Sequence, residues 1–443
     1  MRAIVIVKQG APREAFTIED SYPKPGIDGK EKKVLLRVKC FGTSPALFTV
    51  VVRTLHPPLP ILLGSHAGDD CQVRSEQDGS LCFFALVCEI GKDWIPAIGH
   101  ADRMTRQGVK LGGAERPPIP KVLGSECAGV VVAVPPDLER QDSDGAETRT
   151  GGEGAKYKVG DVVMTLMGGM GFAIDGCYAE YVAAPPMALS APVAFENPTS
   201  LQLSCPSSAP IDTSRFYATL AAVPGAFPVA HGILVTCLRV QADDTLLIHG
   251  GSSSVGMAAA TIAKNLLGVK KIAGTTRNQA KVAKMKSGGF DVVIVLQPEH
   301  TKSMNTGELS ALIKKEGTEN LGFTAQIEML GATHVATSLA CARPSVGSRV
   351  CVAGMLAGAY HISDADKFSP MGIPPGVYLT GYSSSVNGHL SSLASLAQAA
   401  IEGKVNAGPD KIFKFEEIIK AHEYCEADAV SPAAPLDYRV TRD

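Results

Sequence analysis

The residues with the clearest chemical meaning are glycines and serines that separate an apolar segment from a helical pattern. The stretch starts at Asp244 and reads DTLLIHGGSSSVGMAAATIAKNLLG. Gly250 and Gly251 permit a tight turn, and Gly256 lets the following helix pack closely on the strand. The free N–H groups and the positive end of a helix that begins there bind phosphate groups. The predicted chemistry is the binding of a pyrophosphate by Gly251, Ser252, Ser253, Ser254, Val255 and Gly256.

Serine replaces glycine at three neighbouring positions of this turn. Ser253 takes the middle place of the usual glycine pattern, where it makes the backbone less accessible but offers a hydroxyl to a phosphate oxygen. The alternative is a polar loop that only caps the helix, with Ser254 as the N-cap residue. We favour phosphate binding because a strand precedes the turn and alternating strands and helices follow it.

The elements that must position this turn are short apolar runs that alternate with helical patterns. The predicted strands cover 271–276, 291–296, 323–330 and 349–355. The predicted helices cover 278–287, 307–316 and 333–342. This alternation indicates βαβ units in a parallel sheet, with ligands at the carboxyl ends of the strands. The predicted cofactor site therefore also includes Leu330, Gly331 and Gly354, at or near the ends of later strands.

The end of the first of these strands bears on which dinucleotide is bound. NAD-binding folds usually carry an Asp or Glu there, which binds the ribose hydroxyls. This chain reads Thr275-Thr276-Arg277, with Lys281 one helical turn further on. Two hydroxyls and two cations suit a 2′-phosphate through charge-assisted hydrogen bonds, so NADPH is predicted over NADH. The alternative is that the two cations only begin a solvated helix.

Composition limits the class of protein. The chain has 443 residues, of which 45% are hydrophobic, and this is enough for two or three domains with a sizeable core. A net charge of −2 gives no reason to expect a nucleic acid or an anionic membrane as partner. No membrane span and no signal peptide are expected, and the expected compartment is the cytoplasm. The eleven cysteines form no CxxC pair, so neither a zinc knuckle nor a disulfide framework is predicted.

Several further stretches, taken in order with the glycine-serine turn, resemble one family. They are VLLRVKCFG at 34–42, PKVLGSECAGVVVAV at 120–134, YKVGDVV at 157–163, GCYAEYV at 176–182 and IFKFEEIIKAHEYCE at 412–426. The chain is similar to the medium-chain dehydrogenase/reductase superfamily, above all to its zinc-free quinone oxidoreductases. That branch is itself similar to the enoyl reductase modules of polyketide synthases.

The resemblance implies an α/β protein with two domains. A GroES-like β-barrel catalytic domain is expected over 1–235, a Rossmann domain with a doubly wound parallel sheet over 236–365, and a C-terminal return to the catalytic domain over 366–443. The nicotinamide and the substrate would meet in a cleft between the domains. A homodimer is the expected assembly.

The same resemblance implies that no metal takes part. Zinc-dependent members carry a cysteine and a His-Glu pair where this chain has Gly42-Thr43-Ser44 and Gly124-Ser125-Glu126. Hydroxyls thus stand in place of metal ligands, and the ligands of a three-ligand zinc site are not expected in this chain. Glu126 is expected to be a hydrogen-bonded structural group. His231 and His249 are expected to be core residues rather than acids.

The implied reaction is hydride transfer from NADPH to a quinone or to a C=C bond conjugated to a carbonyl. Relatives often carry a tyrosine near the acceptor where this chain has Met104, so no proton donor is carried over. Tyr382 is a candidate for the catalytic cleft, and a structural role is the alternative. Two other functions stay open: a non-catalytic nucleotide-binding protein, as lens crystallins of the family show, and, less favoured, a zinc-dependent alcohol dehydrogenase.

The family pattern breaks at three places. The insertion at 47–100 is interpreted as intron-derived sequence, with a lid over the active site as the alternative. A shorter Pro- and Ser-rich insertion lies at about 194–211. After residue 430, two prolines stand where relatives have a closing strand. Because proline cannot donate a hydrogen bond to a β-ladder, this segment is not expected to form a central strand.

Overall fold

The computed structural model describes most of the chain outside these interruptions. The described residues are 1–26, 33–41, 50–51, 95–96, 100–108, 119–141, 156–193, 213–297, 300, 304–354, 356, 370–383, 389–409 and 411–429. The hypotheses on the insertion at 47–100, on 194–211 and on the tail after 430 fall outside the described residues, apart from two short strands and residue 100.

The N-terminal part consists of small, mainly antiparallel sheets around one apolar core. Its strands are Ala3–Ile6 (β1), Phe16–Glu19 (β2), Val34–Phe41 (β3), Val50–Val51 (β4), Ile95–Pro96 (β5), Lys121–Val122 (β6), Glu126–Ala133 (β7), Val162–Leu166 (β8) and Tyr181–Ala184 (β9). One sheet has the order β2-β1-β6, and a second has the order β5-β3-β7-β8 with β9 also paired to β3. The first four residues of β7 are all buried, and burial alternates only over its second half, which is typical of a strand that packs one face on a core.

A six-stranded parallel sheet follows, as the alternation of apolar runs and helical patterns predicts. Its strands are Thr245–His249 (β10), Lys271–Thr276 (β11), Val292–Val295 (β12), Ala325–Glu328 (β13), Ser348–Val352 (β14) and Val377–Gly381 (β15). Their order is β12-β11-β10-β13-β14-β15, and every neighbouring pair is parallel. A last short strand, Lys411–Ile412 (β16), pairs with β4.

Helices cover both faces of the parallel sheet. The helices are Pro12–Ala15, His100–Gln107, Thr213–His231, Ser254–Asn265, Val282–Ser287, Thr306–Thr318, Val335–Cys341, His389–Ile401 and Ile418–Ala429. Apolar residues of the first, second and last helices of the sheet region (213–231, 254–265 and 389–401) share one core cluster, and those of 306–318 and 335–341 lie in two others. The doubly wound fold is therefore confirmed.

The predicted domain boundary at 366 is wrong. Strand β15 pairs with β14 in the parallel sheet, and helix His389–Ile401 packs against helix Thr213–His231. Among the described residues, the chain rejoins the N-terminal sheets only at β16 and the helix after it. The segment GIPPGVYLTG hides the sixth strand, because its prolines and glycines interrupt the apolar run before β15.

One apolar stretch is longer than the sequence analysis allowed. Helix Thr213–His231 continues as a wider turn over Gly232–Cys237, and Phe216–Cys237 is long and apolar enough to cross a membrane by composition alone. In the fold, 67% of its most apolar window is buried. The helix packs against 254–265 and 389–401 on one side and against β7 on another. Its apolar surface is thus explained as the core helix between the two groups of sheets.

Candidate functional site

The site is located by the point where the strand order reverses. Strands β11 and β12 lie on one side of β10, and β13, β14 and β15 lie on the other. The carboxyl ends of β10 and β13 therefore border a crevice, which is where open α/β sheets bind their ligands.

The turn after β10 needs bare backbone for its own geometry. Gly250 has a φ of +72°, which side chains rarely tolerate. A Cβ on Gly256 would lie 2.7 Å from the carbonyl oxygen of Gly251 and 2.8 Å from that of Gly250. The backbone N–H of Gly251 donates to the carbonyl of Thr275 at 2.9 Å, so the turn is tied to the end of β11.

The serines of this turn have different roles. Ser253 is the N-cap residue, since its hydroxyl accepts a hydrogen bond from the N–H of Gly256 at 3.1 Å. This corrects the alternative that placed the cap at Ser254, and it means that the Ser253 hydroxyl is engaged in capping. Ser252 accepts from the hydroxyl of Thr276 at 3.1 Å and is half-buried, as is Ser254.

The predicted cations lie where β11 ends. Thr276 is buried, and its hydroxyl oxygen also accepts from the N–H of Asn278 at 3.2 Å. Arg277 is exposed, and Lys281 is half-buried at the end of a short 3₁₀ turn. Because Thr276 is bonded to Ser252, these side chains start directly beside the glycine-serine turn. The structure therefore brings the predicted phosphate-binding groups to one edge of the sheet.

A second lip of the crevice is formed by the turns after β13 and β14. The Cβ position of Gly250 is 3.4 Å from the side chain of Leu330. A Cβ on Gly354 would be 2.8 Å from the carbonyl oxygen of Met329, and this oxygen also accepts from the N–H of Leu356 at 2.9 Å. Leu330, Gly331 and Gly354 thus lie close to the glycine-serine turn, although their contact with a cofactor stays a prediction.

Sequence reasoning missed Glu328, the last residue of β13. Its carboxyl group is fully buried and accepts from the N–H groups of Leu330 at 2.5 Å and Gly331 at 3.1 Å. It also accepts from the hydroxyl of Ser338 at 2.5 Å. Burial raises the pKa of Glu328 above its usual value, although these hydrogen bonds lower it in part. An acid that ends an apolar strand just before a glycine was the signal available in the sequence.

The two histidines singled out in the sequence differ in their surroundings. His249 ends β10 directly beside Glu328 and is 2% exposed, as expected of a core residue. Burial lowers the pKa of His249 to about 4, so its ring is neutral at physiological pH. Its Nε2 has no hydrogen-bond partner among the described residues. His231 is half-buried, and burial lowers its pKa as well.

Tyr382 follows β15 and so belongs to the parallel sheet, not to the re-entry into the N-terminal part. Its ring covers Gly232, where any Cβ would collide with the phenol. The hydroxyl donates to the carbonyl of Pro228 at 3.5 Å, and burial raises the pKa of Tyr382 to about 12. This placement favours a packing role over proton donation.

The packing role of Tyr382 predicts different stability effects for two substitutions. Tyr382→Phe should change the free energy of unfolding by less than about 1 kcal/mol, because the hydrogen bond from its hydroxyl to the carbonyl of Pro228 is long, at 3.5 Å. Gly232→Ala should cost about 1–3 kcal/mol, because the added carbon overpacks the ring. Urea unfolding and NADPH oxidation check both. A stable Tyr382→Phe protein that has lost most of its turnover would show instead that Tyr382 is catalytic.

Glu126 lies at the contact between the two groups of sheets. A Cβ on Gly225 of the core helix would collide with its carboxyl oxygen Oε2, so the carboxyl group packs closely on this helix. The carboxyl Oε2 has no hydrogen-bond partner in the described part of the chain, unlike the bonded group that was expected. Burial, and next the neighbouring Asp102, raises the pKa of Glu126 to about 8.

This raised pKa predicts a pH dependence of stability. The folded protein keeps a proton on Glu126 between about pH 4.5 and 8, whereas the unfolded chain releases it. Stability from this group is therefore present at low pH and is lost as pH rises to 8, by up to ~1.4 kcal/mol per pH unit. Glu126→Gln should remove that loss, so its gain over the wild type should grow from pH 5 to pH 8. Urea midpoints across this range test it; a constant difference would contradict the assignment.

Asp102 and Arg106 hold the helix His100–Gln107 in place. The Asp102 carboxylate accepts from the N–H of Gly124 at 3.1 Å. The buried Arg106 guanidinium pairs with Glu426 and donates to the carbonyl of Gly10. Asp102 and Arg106 therefore join this helix to the N-terminal part and to the last helix, which is a structural role.

Comparison with known proteins agrees with this architecture. Residues 95–193 match the model of the alcohol dehydrogenase GroES-like domain. Quinone oxidoreductase of Pongo abelii is 26% identical over 313 residues, which cover 70% of this chain and 77% of that protein. Squalestatin tetraketide synthase of a Phoma species is 30% identical over 145 residues, 33% of this chain. The chain spans only 4% of the length of that much larger protein.

Solved structures show the same fold over almost the whole chain. Mycobacterial Rv1454c, complexed with NADPH, has a TM-score of 0.61 at 20% identity, and the match covers 97% of this chain and 97% of that one. Quinone oxidoreductase of Pseudomonas syringae has a TM-score of 0.57 at 18% identity over 98% of each chain. These similarities support the medium-chain dehydrogenase/reductase superfamily of oxidoreductases, and within it the branch of the quinone oxidoreductases and enoyl reductase-like proteins.

Proposed function

We propose that the protein is an NADPH-dependent reductase that transfers hydride to a quinone or to an α,β-unsaturated carbonyl compound without zinc. One observation carries this proposal. A glycine-lined turn at the start of a twelve-residue helix lies beside Thr276 and Arg277, with no acidic residue from Thr276 to Lys281. Such a site attracts a phosphorylated ribose and does not repel it.

The residues present fit the phosphates of this cofactor. A Cβ on Gly256 would collide with two backbone carbonyl oxygens of the turn, and the helix that begins at Ser254 presents the positive end of its dipole, which suits a phosphate group. We assign the pyrophosphate to residues 251–256 and the 2′-phosphate to Thr276, Arg277 and Lys281. When bound, the reduced nicotinamide supplies the hydride. The chain itself binds, orients and excludes water from the reactants.

The absence of zinc from the proposed chemistry has support from residue types. Ser125 stands where zinc-dependent members have a histidine. Within the described residues, no three His, Cys, Asp or Glu side chains come together as a metal site. In the proposed enzyme, fixed dipoles of the chain polarise the acceptor carbonyl, which is the kind of electrostatic support that such sites use.

The named relatives support the acceptor class. The Pongo abelii relative is a quinone oxidoreductase, and Rv1454c was solved with NADPH. A second candidate function is nucleotide binding without catalysis, which is favoured by the position of the Tyr382 hydroxyl against the core helix.

A titration and an acceptor panel separate these two functions. The full chain is titrated with NADPH and with NADH, and each complex is then given quinones, enals and longer enones. The proposal expects a fluorescence change, tighter binding of NADPH, and NADPH oxidation with at least one acceptor. Binding with no oxidation by any acceptor would favour the non-catalytic protein, and no binding of either nucleotide would refute both.

We also propose that two copies of the chain associate through β15. This strand is one edge of the parallel sheet, and its Tyr378 is 65% exposed. Edge strands with apolar side chains pair readily with a second chain. Tyr378→Lys should shift the protein from dimer to monomer in light scattering, because it places like charges at the shared edge. A wild-type monomer at the same concentration would contradict this assembly.

A further inference from the structure

The buried carboxyl group of Glu328 accepts hydrogen bonds from the short turn that follows it. Both backbone N–H groups of Leu330 and Gly331 donate to the same oxygen, Oε1, and the hydroxyl of Ser338 donates to the other. Burying a carboxyl group is costly unless its hydrogen bonds compensate. A strand end with no special task does not need such a group, because water or backbone commonly satisfies a turn.

The backbone conformation of this turn is restricted. Gly331 has a φ of +113°, outside the range that side chains favour. Met329 joins the turn to the next one through the hydrogen bond from the N–H of Leu356 at 2.9 Å. Ser253, the cap of the phosphate-binding helix, donates to the sulfur of Met329 at 3.7 Å. Residues 329–331 therefore lie against the glycine-serine turn across the crevice.

We propose that Glu328 is a positioning residue for the dinucleotide, which fixes residues 329–331 as the lip opposite residues 250–256. The proposal rests on the proposed function, because it assumes that a nucleotide occupies the crevice. Glu328 acts through the turn and need not touch the reacting atoms. The 2′-phosphate lies on the β11 side of the crevice, so Glu328 affects phosphorylated and plain nucleotides alike.

The groups around Glu328 allow a neutral replacement. Ser338 also donates to the carbonyl of His334 at 3.2 Å, so its oxygen can accept from an amide in place of donating to a carboxylate. His249 beside it is neutral, and His334 is half-buried, with its pKa lowered by burial. The amide oxygen of a glutamine can accept from both N–H groups of the turn. Glu328→Gln should therefore keep the turn, and Glu328→Ala should release it.

Fluorescence titration of the full chain with NADPH and NADH tests the proposal, well below the unfolding transition of each variant. Glu328→Ala should weaken the binding of both nucleotides about tenfold, because the hydrogen bonds that order the turn are lost. The ratio of the two affinities should not change. Glu328→Gln should stay within about threefold of the wild type. A folded Glu328→Ala protein with wild-type affinity would overturn the proposal, and so would a glutamine variant as weak as alanine.

A glycine pair keeps the test valid if Glu328→Ala does not fold. Gly331→Ala strains the proposed lip, and Gly347→Ala strains an open turn at the amino edge of the sheet, where φ is +76°. Only the first should weaken binding, and equal affinities of the two variants would overturn the proposal. Failure of the proposed nucleotide site would look different, since the wild type itself would then bind neither nucleotide. Binding without oxidation would count against the reductase and would leave this affinity test intact.

Discussion

Gly256→Val is expected to weaken NADPH binding by at least about 100-fold. The added Cβ would lie 2.7–2.8 Å from two backbone oxygens of the turn. Backbone cannot yield as the end of a flexible side chain does, so the turn must open and its N–H groups must turn away from the phosphates. A loss of about 3 kcal/mol of binding free energy corresponds to this factor.

The control for this change is Gly372→Val. Gly372 ends a short 3₁₀ turn, and nothing lies within 4 Å of its Cβ position. This variant should bind NADPH as the wild type does. Titration and thermal unfolding are measured on both variants, so that lost affinity can be separated from lost folding. A folded Gly256→Val protein with unchanged affinity would mean that the phosphates bind elsewhere.

Arg277→Glu is expected to reverse the preference between the two nucleotides. The change removes a charge-assisted hydrogen bond worth about 1.5–3 kcal/mol and adds repulsion between the new carboxylate and the 2′-phosphate. The ratio of NADPH to NADH affinity should fall by about 30- to 100-fold or more at low salt. The fall should be smaller at high salt because Arg277 is exposed.

Lys271→Glu provides the matched control for Arg277→Glu. Lys271 begins the same strand, β11, whose other end leads to Arg277. The change in net charge is the same, but the strand length places it at the opposite edge of the sheet. The affinity ratio should stay near that of the wild type. If both variants lower the ratio equally, the preference comes from net charge and not from a phosphate site at Arg277.

The parallel sheet was predictable because its strands are short apolar runs that alternate with helices. The same applies to the turn at Gly250–Gly256, where residue types and position agree. Strand β15 was missed because prolines and glycines surround it, and its membership in the sheet depends on long-range pairing with β14. Local pattern carries no information about such pairing, so the boundary at 366 was placed too early.

The site shows the same limit at the scale of single residues. Ser253 caps the helix in place of Ser254, which is a one-residue difference that only the cap geometry settles. Glu328 gains its role from a turn that folds back on it, and Glu126 is buried where the core helix approaches it at Gly225. These are consequences of packing. Composition and spacing identify the residue types but not the atoms that they meet.

The central claim is that a reduced nicotinamide dinucleotide held at the carboxyl ends of β10 and β13 does the chemistry without a metal. The most direct test is the initial rate of NADPH oxidation with an accepted quinone, measured before and after dialysis against a strong chelator. The metal content of the same samples is determined. We predict an unchanged rate in metal-free protein and a much lower rate with NADH. A rate that disappears with the metal and returns when zinc is added would contradict the claim.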